Sequence, residues 1–276
     1  MAAIALALSA SLTWGLADFF GALKGRSLGA LRALFYVQLS GLAMIAIVVA
    51  VRGKGPGDSA VLLAIPAGIS GTLGLYAFYR GVAVGAMSIV APIAGISAVV
   101  PVVVGIASGD RPSIWQLAGM GCALAGVFLA ALEPAPGRSK IAAGVGLALL
   151  AALGFGGYFP SMHAAGNADF WWASLIFRTT STAVILAAIA IRRPVLSVEP
   201  RQLPSLALVG IGDTLGNVLF AAASTTGLVS ITSVLASLYP VVTVLLARIV
   251  LAERVARSQE GGIALTLAGV ALISAG

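Results

Sequence analysis

Three ionisable side chains lie inside long apolar stretches of the sequence: Asp18, Arg178 and Asp213. An ionised side chain at the centre of a membrane span costs at least about 2.5–3.5 kcal/mol, so such a residue is expected to face a cavity or a partner. An arginine can bind a carboxylate, and a carboxylate can bind an amine. These residues indicate either substrate recognition or proton coupling, or else an internal ion pair of Arg178 with Asp18 or Asp213. For Asp18, which is nearer a predicted helix end, the structural role is favoured.

Polar and aromatic side chains extend this candidate site. Asn217 lies four residues after Asp213 and shares its helical face, where it either lines a cavity or forms a hydrogen bond between helices. A Trp or Tyr within a span needs a polar partner for its N–H or O–H and therefore tends to face the interior. The candidate substrate-binding residues are Trp14, Tyr76, Tyr79, Tyr158, Arg178, Asp213, Asn217, Ser237 and Tyr239.

The sequence offers little for catalysis or for metal binding. Cys122 is the only cysteine and His163 the only histidine, so neither a disulfide framework nor a metal site with the usual ligand spacing is indicated. No cluster of His, Asp and Glu supplies an acid–base pair. We therefore expect no metal, no cofactor and no enzymatic activity.

The composition places these residues in lipid. Hydrophobic residues make up 60% of the 276 positions and charged residues only 9%, and the mean hydropathy is +1.08. A soluble domain carries about 25% charged residues, so this chain could not cover its apolar surface in water. The net charge of +7 comes mainly from short connections, where it indicates membrane topology and lipid headgroups, not nucleic acid.

Ten apolar runs are long enough to cross a membrane as helices, which predicts an all-α integral membrane protein with ten transmembrane helices. They cover residues 2–23, 32–51, 60–79, 86–107, 114–132, 141–162, 170–191, 204–223, 229–249 and 258–275. Pro92 and Pro101 interrupt the fourth run and Pro240 the ninth. Because a proline inside a helix removes a backbone hydrogen bond, we predict kinks or hinges there.

One motif occurs twice in the chain at a constant spacing. The residues Thr72-Leu73-Gly74 match Thr214-Leu215-Gly216, and Phe78 and Gly85 match Phe220 and Gly227. This predicts two copies of one unit, residues 1–133 and 141–276, with five helices each. Because five is an odd number, the second copy must cross the membrane in the opposite sense, which is the inverted-repeat architecture of many transporters.

The distribution of basic residues predicts the orientation. Most Lys and Arg residues fall in the connections on one side of the predicted membrane, and only Arg52, Lys54 and Arg111 fall in those on the other side. Cytoplasmic connections carry the excess of basic residues, so both termini are predicted outside the cytoplasm of a bacterial inner-membrane protein. Two halves can enclose a cavity within one chain, so a monomer is sufficient.

The ends of the two halves resemble the EamA domain of the drug/metabolite transporter superfamily. The matching residues are Asp110-Arg111, Gln116 and Gly119 in the first half and Glu253-Arg254, Gln259 and Gly262 in the second. Trp14-Gly15 and Arg178 are also similar to family positions. In the first half, the position that corresponds to Arg178 is occupied by Gln38, so a pair of equivalent arginines is not expected. The resemblance covers the whole chain and is greatest to ten-helix amino-acid exporters. It implies export of a small metabolite.

Three functions are consistent with these features. The leading one is export of an amino acid with an apolar or aromatic side chain by alternating access across a cavity between the repeats. The second is efflux of cationic drugs, with Asp213 or Asp18 as the partner of the cation. The third is a lipid-handling or scaffold membrane protein whose cavity opens to the bilayer. The expected partners are a small-molecule substrate and membrane lipid.

Overall fold

A computed structural model describes residues 1–85, 87–131, 138–250 and 257–275, and the regular structure in these residues is entirely helical. The helices are α1 (Ala2–Leu28), α2 (Ala30–Arg52), α3 (Ala64–Val84), α4 (Met87–Gly95), α5 (Val99–Ala107), α6 (Ile114–Ala131), α7 (Arg138–Arg192), α8 (Leu203–Thr226), α9 (Val229–Ala236), α10 (Tyr239–Val250) and α11 (Arg257–Ala275). Glu253-Arg254, and most of the predicted boundary between the halves, lie outside the described residues.

Six helical stretches in the described ranges are long and apolar enough to cross a membrane. They are Ala2–Leu28, Ala30–Arg52, Ser59–Val84, Gly144–Arg192, Pro200–Thr226 and Val229–Leu246. Shorter apolar helices cover Ile93–Ala107, Ile114–Gly126 and Glu260–Ile273. The protein is therefore a multi-pass helical membrane protein.

The helix α7 is two helices joined at a sharp bend. Asp169 has φ −162° and ψ 111°, which is extended backbone inside an otherwise helical segment. A membrane crossing needs roughly 20 residues, so the 55 residues of α7 provide length for one crossing in each arm. We call residues 138–168 the first arm of α7 and residues 170–192 the second arm.

Two apolar segments are broken near their middle. Between α4 and α5 the chain forms a single 3₁₀ turn, Ile96–Ala98, and α9 is separated from α10 by two residues. Pro101 and Pro240 lie in the first turns of α5 and α10, where the missing N–H of proline is tolerated. Pro92 lies within α4 and does not end it. The role of these three prolines as hinges stays a prediction.

The helices pair across the chain. Helix α1 packs against α8, α3 against α7, and α6 against α11, while α2 contacts both α7 and α8. The broken segments also meet, because α4 contacts α10 and α5 contacts α9. The main packing partners of the first half of the chain therefore lie in the second half.

The repeated glycines permit two close helix contacts around the core. A Cβ on Gly154 of α7 would lie 2.6 Å from Cα of Gly74 in α3, so these two backbones touch. A Cβ on Gly216 of α8 would lie 2.5 Å from the indole of Trp14 in α1. The matched glycines of the repeated motif thus serve the same purpose, since each lets its helix approach a partner closely.

Candidate functional site

A cavity lies where α1, α2, α3, both arms of α7, α8 and α10 converge. It encloses about 520 Å³ of space between the surrounding atoms, including the part that is open. The residues that line it are Trp14, Asp18, Gln38, Gly71, Thr72, Leu75, Phe155, Tyr158, Phe159, Phe177, Arg178, Ser181, Asp213, Asn217 and Tyr239. Charged and amide groups and aromatic rings thus face the same space.

Arg178 is the centre of the polar network in this cavity. Its side chain is fully buried in the second arm of α7. Nη2 donates to Oδ2 of Asp213 in α8 at 2.7 Å, and Nη1 donates to Oε1 of Gln38 in α2 at 2.5 Å. Hydrogen bonds between ionised groups are about twice as strong as neutral ones. The network joins three helices, and the ion pair expected for Arg178 forms with Asp213, not with Asp18.

Asp18 lies in the same cavity without a partner. It is buried, and it makes neither an ion pair nor a hydrogen bond to any described residue. The ion pair with Arg178 that was favoured for Asp18 does not form, because Arg178 pairs with Asp213 instead. Helix α1 also continues to Leu28, beyond its predicted end at residue 23. Asp18 therefore lies well inside the helix, one turn after Trp14, and both residues face the cavity.

Aromatic rings form a continuous apolar wall. Trp14 meets Tyr158 edge to face with 5.8 Å between ring centroids, and Tyr158 meets Phe177 in the same way at 5.2 Å. On another side Phe155 contacts Tyr239 edge to face at 6.2 Å. Such geometry is favoured by the quadrupoles of the rings. The wall offers a rigid, mainly apolar surface next to the charged groups.

Some polar atoms in the cavity wall are buried without a protein partner. The hydroxyl of Tyr158 and Nδ2 of Asn217 find no hydrogen-bond partner among the described residues. Leaving such a group unsatisfied costs about 1–3 kcal/mol. These atoms are therefore available to a bound molecule.

The structure brings six of the predicted substrate-binding residues into the cavity wall and leaves three outside it. Those in the wall are Trp14, Tyr158, Arg178, Asp213, Asn217 and Tyr239. Ser237 lies in the break after α9, where its hydroxyl donates to the carbonyl of Val234 at 2.9 Å.

The two tyrosines of α3 lie elsewhere because the cavity faces only part of that helix. The face with Thr72 and Leu75 borders the cavity. Tyr76 is rotated away from it and lines a separate groove with Leu31 and Ile185. Tyr79 continues the cavity-facing side but packs against α1, where two glycines of α1 leave room for its ring.

Other cavity residues carry little signal in the sequence. They are Gln38, Gly71, Thr72, Leu75, Phe155, Phe159, Phe177 and Ser181. Gln38 could have been found from its correspondence with Arg178. Ser181 lies three residues after Arg178, so it could have been found from helical periodicity. The phenylalanines resemble ordinary packing residues.

A second polar contact joins α2 to the bend in α7. Arg52 binds Asp169 through both guanidinium Nη atoms, each 3.2 Å from a carboxylate oxygen, and the guanidinium also lies over the ring of Trp171. The same carboxylate accepts the N–H groups of Trp171 and Trp172 at 2.8 and 3.1 Å. Burial opposes ionisation of Asp169, but the Arg52 guanidinium and these two N–H groups hold the pKa of that carboxyl below its usual value. Asp169 therefore caps the second arm and ties it to α2.

The fold and the cavity define a helical membrane protein that crosses the bilayer several times and encloses a polar and aromatic site between its helices. Within that class the chain belongs to the EamA-like transporter family, whose model matches residues 1–132 and 142–275. The family resemblance noted in the sequence is thereby confirmed. The protein is a membrane transporter of the drug/metabolite transporter type, which binds small-molecule substrates and resides in membrane lipid.

Comparison with solved structures supports the same fold. A crystal structure described only as that of a protein matches with a TM-score of 0.76 at 14% sequence identity, over 98% of this chain and 95% of that chain. At this identity the match shows the fold alone. A comparison with curated proteins finds no significant match. In the described part of the chain, no group of three or more His, Cys, Asp or Glu residues is placed to hold a metal ion.

Proposed function

We propose that this transporter exports a small amphiphilic metabolite, an amino acid with an apolar or aromatic side chain. The observation that carries the proposal is the composition of the central cavity. Aromatic rings led by Trp14 and Tyr158 form one wall, and Asp18, Arg178 and Asp213 lie beside them. Ligand sites are typically mainly apolar with a few placed polar groups, and such a wall suits a substrate with a charged end and an apolar end.

We further propose that the chain forms ten spans in two inverted repeats of five helices, residues 1–133 and 141–276. In this arrangement α4 with α5 and α9 with α10 are the broken fourth and ninth spans, and the arms of α7 are the sixth and seventh. The equivalent pairs α1–α8 and α3–α7 support it, as does the hydrogen bond between Gln38 and its counterpart Arg178. Transporters of this construction bind substrate between the repeats.

Alternating access would use the contacts between the broken helices. In the proposed arrangement, α4 meets α10 towards one side of the membrane and α5 meets α9 towards the other. Loosening one contact while keeping the other would open the cavity to one side at a time. With both termini outside the cytoplasm of a bacterial inner membrane, the Arg52–Asp169 contact would lie on the outer side.

Efflux of cationic compounds is the second candidate function. One observation favours it: the cavity wall holds two carboxylates, and its arginine is already paired with one of them. A cation with an aromatic body would find a free carboxylate at Asp18. It would also find ring faces suited to cation–π contacts.

Flux in proteoliposomes tests the proposed function. The parent protein is expected to move labelled apolar and aromatic amino acids with saturable kinetics. Trp14→Ala should reduce this flux by about tenfold or more, because the ring is buried in the cavity wall. Trp115→Ala is the matched control, since Trp115 is an exposed residue of α6. If folded parent protein moves no amino acid, this substrate assignment is wrong and cationic compounds become the leading candidates.

A further inference from the structure

The central cavity contains one carboxylate more than its cations can balance. Arg178 is the only Lys or Arg among the residues that line it. That guanidinium is committed to Asp213 at 2.7 Å and to Gln38 at 2.5 Å. Asp18 has no partner among the described residues, although it is 94% shielded, with only 6% of its surface exposed.

The groups around Asp18 do not supply the missing positive charge. From α3 and α10 the facing titratable groups are the hydroxyls of Tyr79 and Tyr239. From α8 the facing group is the carboxylate of Asp213. A buried carboxylate with no compensating charge is strongly unfavourable, so this position requires either a proton or a positively charged ligand.

We propose that Asp18 is the site that binds the ammonium group of the substrate and that it holds a proton when the cavity is empty. The inference rests on the proposed function and narrows it, because the recognised feature is a protonated amine attached to an apolar or aromatic body. An ammonium group has three N–H donors and no acceptor. The hydroxyl oxygen of Tyr239 is one further acceptor in the wall, and the rings of Trp14 and Tyr158 border the same space.

The carboxylate of an amino acid is not the recognised feature in this site. Both Nη atoms of Arg178 already bind protein oxygens. Nε of Arg178 has no hydrogen-bond partner, but it lies against Gly41 of α2. A substrate carboxylate that bound the Nη atoms as Asp213 does would have to displace Asp213 or Gln38, and the displaced group would then be buried without its partner. Removing one partner from a buried ion pair is strongly unfavourable. A simple amine therefore binds about as well as the amino acid that carries the same side chain.

Binding at Asp18 exchanges one cation for another. The protonated carboxyl group releases its proton to the solution on the side that is open, and the resulting carboxylate pairs with the incoming ammonium ion. One proton leaves for each ammonium group that enters. The charge of the cavity therefore stays the same for a simple amine and falls by one for a zwitterionic amino acid, whose carboxylate enters with it. Substrate and proton thus compete for one carboxylate, which is the requirement for exchange across the membrane.

Calorimetry on the purified full chain in lipid nanodiscs tests this proposal. The probes are L-phenylalanine, phenethylamine, which lacks the carboxylate, and 3-phenylpropionate, which lacks the amine. Titrations in buffers with different ionisation enthalpies measure the protons released. We expect the first two probes to bind within about tenfold of each other with release of about one proton, and 3-phenylpropionate not to bind.

Three variants make the assignment specific. Asp18→Asn should weaken amine binding about tenfold or more and abolish proton release, because a charge-assisted contact is lost. Asp18→Glu should retain both, which separates loss of the site from loss of folding. Asp58→Asn is the control, since Asp58 is exposed and caps a short 3₁₀ turn.

Each outcome decides between the two proposals. Binding of phenylalanine that needs its carboxylate, or that is unchanged in Asp18→Asn, would overturn the role of Asp18 while leaving amino-acid export intact. Binding of phenethylamine but of no amino acid, with the expected loss in Asp18→Asn, would support the role of Asp18 and remove the amino-acid substrate. If none of the three probes binds to folded parent protein, both proposals fail.

Discussion

Arg178 shows how a single side chain can hold three helices together in lipid. Its two Nη atoms join α7 to α8 through Asp213 and to α2 through Gln38. Because the guanidinium is fully buried, either bond is costly to lose, but the loss of the carboxylate also leaves a charge uncompensated. Charge pairing should therefore matter more than the amide contact.

A double-mutant cycle measures this pairing. Asp213→Asn alone should destabilise the protein by about 3 kcal/mol, because the charge of Arg178 would remain buried without its carboxylate. The same substitution in an Arg178→Gln background should cost much less. Gln38→Ala should cost about 1–3 kcal/mol. Thermal unfolding in one detergent gives all the values, and strictly additive effects of Asp213→Asn and Arg178→Gln would contradict the pairing.

The sequence predicts the polar residues of this site better than its apolar ones. Arg178, Asp213 and Asn217 stand out because each is costly in an apolar helix, so a cavity or a partner is expected. Phe155 and Phe159 line the cavity as well, but phenylalanine is also common in ordinary contacts between helices, so the sequence does not distinguish the two roles. For Asp18 the sequence favours an ion pair with Arg178, which the structure gives to Asp213. The depth of Asp18 was also underestimated, because α1 ends at Leu28 and not at residue 23.

At the scale of helices, the close approach of α3 and α7 depends on glycine. A Cβ on Gly154 would lie 2.6 Å from the backbone of Gly74. Gly154→Val should therefore force the helices apart and destabilise the protein by about 1–3 kcal/mol or more. Gly146→Val is the matched control in the same helix, because nothing lies within 4 Å of a Cβ at that position. Equal unfolding temperatures for the two variants would show that the contact does not limit helix packing.

The bend in α7 makes stability depend on pH. Because Asp169 has a pKa below its usual value in the folded protein, its contribution to stability is present above the unfolded pKa of about 3.9 and is lost as the pH falls through the folded value. We expect Asp169→Asn to lower the unfolding temperature at pH 7. The difference from the parent should shrink at acidic pH.

The control for this prediction is Glu199→Gln. Glu199 and Arg201 form an ion pair in which both side chains are exposed, and such pairs contribute little. The measurement is the unfolding temperature of each variant between pH 3 and pH 7, a range that roughly spans the titration of carboxyl groups. A constant difference between Asp169→Asn and the parent across this range would show that ionisation of Asp169 is not the cause.

The position of the helix breaks is only partly encoded in the prolines. Pro101 and Pro240 each lie in the first turn after a break, whereas Pro92 lies in a helix that continues past it. The bend at Asp169 has no proline, and its signal is an Asp that caps the following turn. A sequence that is apolar throughout predicts where helices cross the membrane more readily than where they bend.

For the whole molecule, composition and the two family-matching segments predict a membrane transporter, and the match to the family confirms this class. The direction in which the chain crosses the membrane stays a prediction from the basic residues. Single cysteines at Gly57 and Val195, in a Cys122→Ser background, would test it. Gly57→Cys should react with an impermeant maleimide added to intact cells and Val195→Cys only after lysis. The reverse pattern would invert the proposed topology.

The most direct test of the account is uptake of labelled phenylalanine into proteoliposomes with an imposed pH gradient. The central claim is that the cavity carries an amine-bearing metabolite in exchange for a proton at Asp18. We predict saturable uptake that accelerates when the lumen is acidic, persists in Asp58→Asn and is lost in Asp18→Asn. Folded protein that moves no phenylalanine in either direction of the gradient, or uptake that is the same in Asp18→Asn and in the parent, would contradict the account.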